Sequence, residues 1–167
     1  MSAQDSKLFV ISGPSGAGKG TLVTRVRERR SNLGLTVSAT TRAPRKGEVD
    51  GVNYFFLTRE EFDRRVANGE FVEWAEVHGN CYGTLVSEVT SKLASGSSLI
   101  LEIDVQGALQ VKERFPEAVL IFIKPPSLEV LRERLVGRGT ETPETIELRM
   151  ANAADELALA DRTTTSW

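Results

Sequence analysis

Three runs of apolar residues stand out from an otherwise mixed chain: "LFVIS" (8–12), "SSLILEIDV" (97–105) and "AVLIFIK" (118–124). A strand wetted on one face alternates polar and apolar positions, whereas unbroken runs like these predict strands covered on both faces. Segments of helical period lie between them. "TLVTRVRERR", from Thr21, puts Leu22, Val23 and Val26 on one side and cations on the other. "QGALQVKERF" predicts a crossover helix, and "SLEVLRERLVGRG" a helix after the Pro125-Pro126 pair, with Ser127 as its N-cap. "PETIELRMANAADELALAD" (143–161) opens with proline in the first turn and predicts a long helix. Apolar strands alternating with helices define an α/β fold built on a parallel sheet.

Residues 38–96 break that rhythm. A strand is expected over "GLTVSA" (34–39), then a polar loop, "TTRAPRKGEVDGVNY" (40–54), punctuated by glycine and proline. Beyond it come a short strand "YFFL", a helix "REEFDRRVANG", a strand "EFVEWAEV" and a helix "TLVSEVTSKLASG" (84–96). This mixed α/β segment reads as an insertion over the main sheet. At 167 residues the chain fits one domain with its own core. A net charge of −2 supplies no basic field for nucleic acid or a membrane surface. A single cysteine, Cys81, excludes an intrachain disulfide and suits a reducing compartment. No run approaches the roughly 20 apolar residues of a membrane span, and "MSAQDSK" lacks the regions of a signal peptide, so a cytoplasmic protein is expected. His78, the one histidine, reads as solvated.

The chemistry begins at "ISGPSGAGKGT". The phosphate-loop spacing G-x-x-x-x-G-K spans Gly13, Pro14, Ser15, Gly16, Ala17, Gly18 and Lys19, between a strand and a helix as the motif requires. Such a loop turns backbone N–H groups inward as a phosphate nest, and the helix adds its positive dipole end. Lys19 then reaches the terminal phosphates of a triphosphate. The rival, a glycine-rich turn with a surface lysine, does not require this order of elements. The next residue should carry the hydroxyl that ligates Mg²⁺, but it is Gly20, which leaves the task to Thr21 or to water. "GAGKGT" resembles the loop of adenylate kinases, which also carry glycine there. Glu102 and Asp104, two apart on an apolar strand, are expected on one face, where Mg²⁺ and a base donor would justify a buried pair.

Arg42 and Arg45, with Tyr54 downstream, offer two guanidinium forks and a phenol to a phosphate monoester, although composition alone favours a solvated basic loop. At this point the chain resembles guanylate kinases, through "TTRAPRKGEVDGVNY", "GEFVEWAEVHGNCYGT", "ILEIDVQG", "PPSLEVLRERLVGRGTET" and "ELRMANAADEL", over residues 7 to 161. The resemblance implies a P-loop NTPase three-layer core (1–37, 97–133 and 151–167), a GMP-binding lobe (38–96) and a short helical lid (134–150). It implies that ATP and GMP are substrates, with Mg²⁺. It places Arg42, Arg45, Tyr54 and Tyr82 on the GMP phosphate, and Ser38, Glu73, Thr84 and Asp104 on the guanine base. Glu102 takes the place of the Walker-B acid, acting through metal-bound water, with Thr21 the other metal contact. Arg134, Arg138 and Arg149 gather with Lys19 and Arg42 on the transferring phosphate. Taken singly, each of those lid arginines reads more readily as a surface group paired with Glu133, Glu141 or Glu144.

Guanylate kinases continue past the last helix with a strand and another helix, whereas this chain ends at "DRTTTSW". The expectation is an unpaired edge on the strand at 118–124, with weakened ATP affinity or self-association through that edge, as a monomer or a homodimer. A catalytically impaired form is therefore one alternative. A phosphopeptide-binding module of the same fold is another, disfavoured because the phosphate loop and lid arginines are all present.

Overall fold

The computed structural model describes residues 6–163. Strand β1 (Leu8–Ser12) runs through the glycine-rich turn into α1 (Lys19–Arg29). Then follow β2 (Leu33–Leu35), β3 (Ala39–Thr40), β4 (Phe55–Phe56), α2 (Arg59–Ala67), β5 (Phe71–Val77), β6 (Asn80–Leu85) and α3 (Val86–Ala94). The chain closes with β7 (Ser98–Glu102), α4 (Val105–Arg114), β8 (Val119–Phe122), α5 (Leu128–Gly137) and α6 (Pro143–Thr163). None of the helices among the described residues is long and apolar enough to cross a membrane.

Two sheets result, ordered β2-β7-β1-β8 and β4-β3-β6-β5. The first is parallel throughout, and β1 and β7 are covered on both faces as their apolar runs require. Against the expectation from its run, the edge strand β8 leaves Val119 and Ile121 exposed, because among the described residues nothing covers that face. Leu8, Val10, Leu99 and Leu101 pack with Val89, Ala108 and Val111 on one face. Ile11 and Ile100 pack with Val23 of α1 on the other. β8 lies at the edge, pairing with β1. A separate cluster of Leu131, Leu135, Ile146, Met150 and Ala153 locks α5 against α6. Ser127 caps α5 as expected, accepting from the Val130 N–H at 3.1 Å.

The second sheet differs from the expected insertion in two ways. The continuous strand read over 34–39 is divided, with β2 in the parallel sheet and β3 in the inserted lobe. Residues 36–38 carry the chain between them. Glu88 of α3 holds this passage by accepting the Val37 N–H at 2.9 Å, while Lys92 pairs with Glu88 at 2.6 Å and donates to the Leu35 carbonyl at 2.8 Å. An alternating sequence does not say which sheet each of its halves joins. The second difference is β6, where the sequence reading had only the start of a helix at residue 84. The helix begins at Val86, and Asn80–Leu85 pairs antiparallel with β5 across a turn in which His78 (φ 51°) and Gly79 (φ 78°) both have positive φ. A central glycine and two polar side chains hide that strand from pattern reading.

Gly83, at the centre of β6, is a close approach. A Cβ there would lie 2.7 Å from Phe71 Cδ1, 2.8 Å from the Glu73 carbonyl oxygen and 2.9 Å from Trp74 Cβ. Two of those neighbours belong to or lie next to the β5 backbone and cannot swing aside. Gly83→Ala is therefore expected to lose about 1–3 kcal/mol to overpacking, read as a lower urea midpoint at unchanged slope. A midpoint equal to the parent's would mean that β5 and β6 separate freely.

A phosphate loop and the cavity facing it

The glycine-rich turn tucks against the end of β8. A Cβ on Gly13 would sit 2.4 Å from the Ile123 carbonyl oxygen, so the position excludes any side chain. Ala17 N–H closes the turn on the Pro14 carbonyl at 3.0 Å, and Gly18, with φ 100°, is the N-cap of α1. Lys19 then folds back over the loop. Its ammonium donates to the carbonyls of Gly13 and, at 3.2 Å, Pro14. Burial holds the Lys19 pKa below the ordinary lysine value; the carboxylates of Glu156, Glu102 and Asp104 oppose that, and Arg138 adds to it.

Two further cations reach the same loop from α5 and α6. Arg134 donates to the carbonyls of Gly16 at 3.2 Å and Ala17 at 3.5 Å. Arg149 donates to Ser15 Oγ at 2.7 Å, and its Nε lies 2.8 Å from Glu141 Oε2. Arg138, the C-cap of α5, is exposed. A nest of N–H groups ringed by cations attracts polyanions.

Gly20 needs no special backbone. Its Cβ would meet Glu102 Oε1 at 3.8 Å, so a side chain fits there. The space borders a cavity of about 450 Å³ lined by Gly20, Thr24, Arg27, Glu28 and Glu102. Thr21 is exposed on the first turn of α1, and no cluster of three acidic, histidine or cysteine side chains among the described residues is placed to hold a metal. That donor set fits a hydrated cation bound largely by phosphate and water.

The inserted lobe encloses a second cavity of about 250 Å³, lined by Ser38, Tyr54, Glu73, Tyr82, Glu102 and Asp104 among others. Five of the residues assigned to GMP thus converge from β5, β6, the loop before β4, the passage at 36–38 and the N-cap of α4. Glu73 is the central charge. It pairs in register with Thr84, whose hydroxyl donates to Glu73 Oε1 at 2.8 Å. Burial raises the Glu73 pKa, the Thr84 hydrogen bond lowers it, and the Asp104 charge raises it. Asp104 departs from the expected strand-face pair with Glu102. β7 ends at Glu102, and Asp104 is the N-cap of α4, accepting the Gly107 N–H at 2.7 Å. Its carboxylate reaches the cavity from a helix N-terminus, not from the strand face.

Arg42 sits over the Tyr54 ring at 5.3 Å from its centroid, with Tyr82 edge-on to Tyr54 at 6.3 Å. Both of its terminal nitrogens donate to Glu48 at 2.9 Å, and the Arg45 backbone N–H donates to the same carboxylate at 2.6 Å. These bonds hold Glu48 down at about 2 and push Arg42 up. The Arg45 side chain stays exposed. Pattern reading counted the cations of this loop and passed over the acid that organises them. It also passed over Glu156, on α6, whose Oε2 is buried without a hydrogen-bond partner and whose carboxyl faces Lys19. Burial and Asp104 raise the Glu156 pKa, against Lys19.

A parallel sheet with a phosphate loop at its first turn, and a second lobe presenting a half-buried carboxylate in a neighbouring cavity, define a nucleotide-binding P-loop protein. Comparison with known proteins narrows that class. The family model described as Guanylate kinase matches residues 5–162. The guanylate kinase of Gloeobacter violaceus is 59% identical over 157 residues, covering 94% of this chain and 77% of the relative. That of Halalkalibacterium halodurans is 55% identical over 159 residues, covering 95% and 78%. The crystal structure of guanylate kinase from Anaplasma phagocytophilum superposes with a TM-score of 0.67 at 39% identity, over 94% of this chain and 73% of that one. The chain belongs to the guanylate kinase family.

Proposed function

We propose that the chain transfers the γ-phosphoryl group of ATP to GMP, giving ADP and GDP. The observation that carries this reading is Glu73, a half-buried carboxylate held by Thr84 in a cavity that shares Glu102 with the one beside the phosphate loop. Guanine presents adjacent N1–H and N2–H donors, which a fixed carboxylate accepts as a pair. Adenine would present its N1 acceptor to the same group and leave it unpaired, a mismatch that hydrogen-bonded sites reject strongly. Because Thr84 gives its proton to Glu73, donation to guanine O6 falls to Ser38. Asp104 completes the base site, and Arg42, Arg45, Tyr54 and Tyr82 hold the monophosphate.

ATP lies along Gly13–Thr21 with its phosphates in the nest. Lys19, Arg134 and Arg149 exchange loop carbonyls and Ser15 for phosphate oxygens, and the exposed Arg138 turns in to join them. A GMP phosphate oxygen attacks the γ-phosphorus in line, and the bond to the β–γ bridging oxygen breaks, leaving its electron pair on ADP. The positive groups stabilise charge spread over the transferring oxygens, which is where most of this catalysis resides. Glu102, across from Gly20, and Thr21 are the residues that would hold a hydrated Mg²⁺, which supplies charge neutralisation at the phosphates. The segment 38–96 acts as the GMP lobe and 134–150 as the lid, closing on the core to exclude water.

A coupled assay of ADP release with ATP and Mg²⁺ tests the reading, with GMP, AMP, CMP or UMP as acceptor. Turnover with GMP is expected to exceed that with AMP by at least about 10²-fold in kcat/KM. Comparable turnover with AMP would overturn the assignment of Glu73.

A further inference from the structure

We infer that Glu141 is a positioning residue for phosphoryl transfer, acting by fixing the guanidinium of Arg149 over the phosphate loop. This rests on the kinase reading above and extends it to a residue that touches neither nucleotide. Glu141 lies in the short turn between α5 and α6, and its side chain is only 11% exposed. A carboxylate on a solvent-facing turn has no reason to be covered unless a partner holds it there. That partner is Arg149 Nε at 2.8 Å. The N–H does not aim at the oxygen, so the contact is ionic and not a hydrogen bond. Partial burial keeps solvent from screening it as it screens an exposed pair.

The turn is built to hold Glu141 still. Gly139, with φ 64°, ends α5, and Thr142 opens α6 by accepting the Thr145 N–H at 3.3 Å on its hydroxyl and the Ile146 N–H at 3.0 Å on its carbonyl. The apolar cluster beneath ties both helices together. Arg149 is thereby gripped at two places, Nε by Glu141 and one terminal nitrogen by Ser15 Oγ at 2.7 Å. A free arginine side chain carries about 2 kcal/mol of rotamer entropy. A guanidinium already anchored at Nε loses little of it when Ser15 is exchanged for a phosphoryl oxygen. The neighbouring Arg132 pairs instead with Glu147 on the exposed surface. Glu141 is thus what sets Arg149 on the catalytic side.

The test is a double-substitution cycle, with the parent, Glu141→Gln, Arg149→Ala and the combination assayed for GMP phosphorylation. Glu141→Gln is expected to lower kcat by about ten- to a hundredfold with the GMP KM unchanged. In the Arg149→Ala background it should cost nothing further, because the group it positions is gone. Glu141→Asp, which keeps the charge one methylene short, should recover part of the loss and carries the cycle should the glutamine variant fold poorly. A kcat within twofold of the parent, a matching rise in the GMP KM, or losses that multiply in the combined variant would each overturn the inference. A parent chain that does not phosphorylate GMP would instead overturn the kinase reading itself.

Discussion

Lys19→Met is expected to lower kcat by about 10²- to 10³-fold while leaving GMP affinity unchanged. Its ammonium is already desolvated over the loop, resting on the Gly13 and Pro14 carbonyls. Binding of a triphosphate replaces those weak acceptors with charged ones. Charge that builds on the γ-phosphoryl oxygens then meets a cation in place, with no solvent to reorganise. Removing one such preorganised donor typically costs about 2.7–4 kcal/mol of transition-state stabilisation. The acceptor cavity is lined by other residues, so the loss should be confined to the phosphate side. Steady-state kinetics beside calorimetric titration of GMP makes the separation. A kcat reduced less than tenfold, or a parallel loss of GMP binding, would sink the assignment of Lys19 to the transferring phosphate.

Glu73→Gln should cost about 10²- to 10³-fold in kcat/KM for GMP and at the same time stabilise the unliganded fold. An amide can accept only one of the two guanine N–H groups and sets its own NH₂ against the other, forfeiting about 3–4 kcal/mol of charge-assisted hydrogen bonding. The stability gain follows from linkage. Burial raises the Glu73 pKa above the unfolded value, so its ionised form is the one the fold disfavours. Native stability from this group is fully present below the unfolded pKa and is lost as pH rises through the folded one. At neutral pH the parent therefore carries a penalty that glutamine lacks. The same shift predicts that GMP affinity falls on acidification at a higher pH than an ordinary glutamate would allow, since the protonated acid no longer accepts both donors. Thermal unfolding and GMP titration across pH, for parent and variant, read both effects. A variant with a lower Tm and the parent's pH profile would mean that Glu73 serves the fold and not the base.

Both residues were nameable from sequence, for different reasons. Lys19 follows from a local motif: glycine spacing, an apolar strand before it and a helix after it. Glu73 is one carboxylate among several on an alternating strand, and only the resemblance singled it out. Its physical justification is the Thr84 partner on β6, a strand that pattern reading missed because Gly83 interrupts it. Glu48 and Glu156 left no trace in spacing, and Glu141 was only one of three acids offered as partners for the lid arginines. Each matters through a cation brought to it by the fold, and acids among many acids carry no local mark.

What the sequence determines by itself is whatever depends on neighbours along the chain. The central strands β1 and β7 are legible because covering both faces demands unbroken apolar runs, the phosphate loop because its glycines serve the backbone, and the Ser127 cap because it bonds three residues on. The tertiary structure alone decided where 34–39 divides between two sheets, that Asp104 reaches the cavity from a helix cap, and which acid each arginine meets. Those outcomes turn on groups far apart in sequence, such as Ser15 and Arg149, whose 2.7 Å contact exists only because α5 and α6 pack back over the loop.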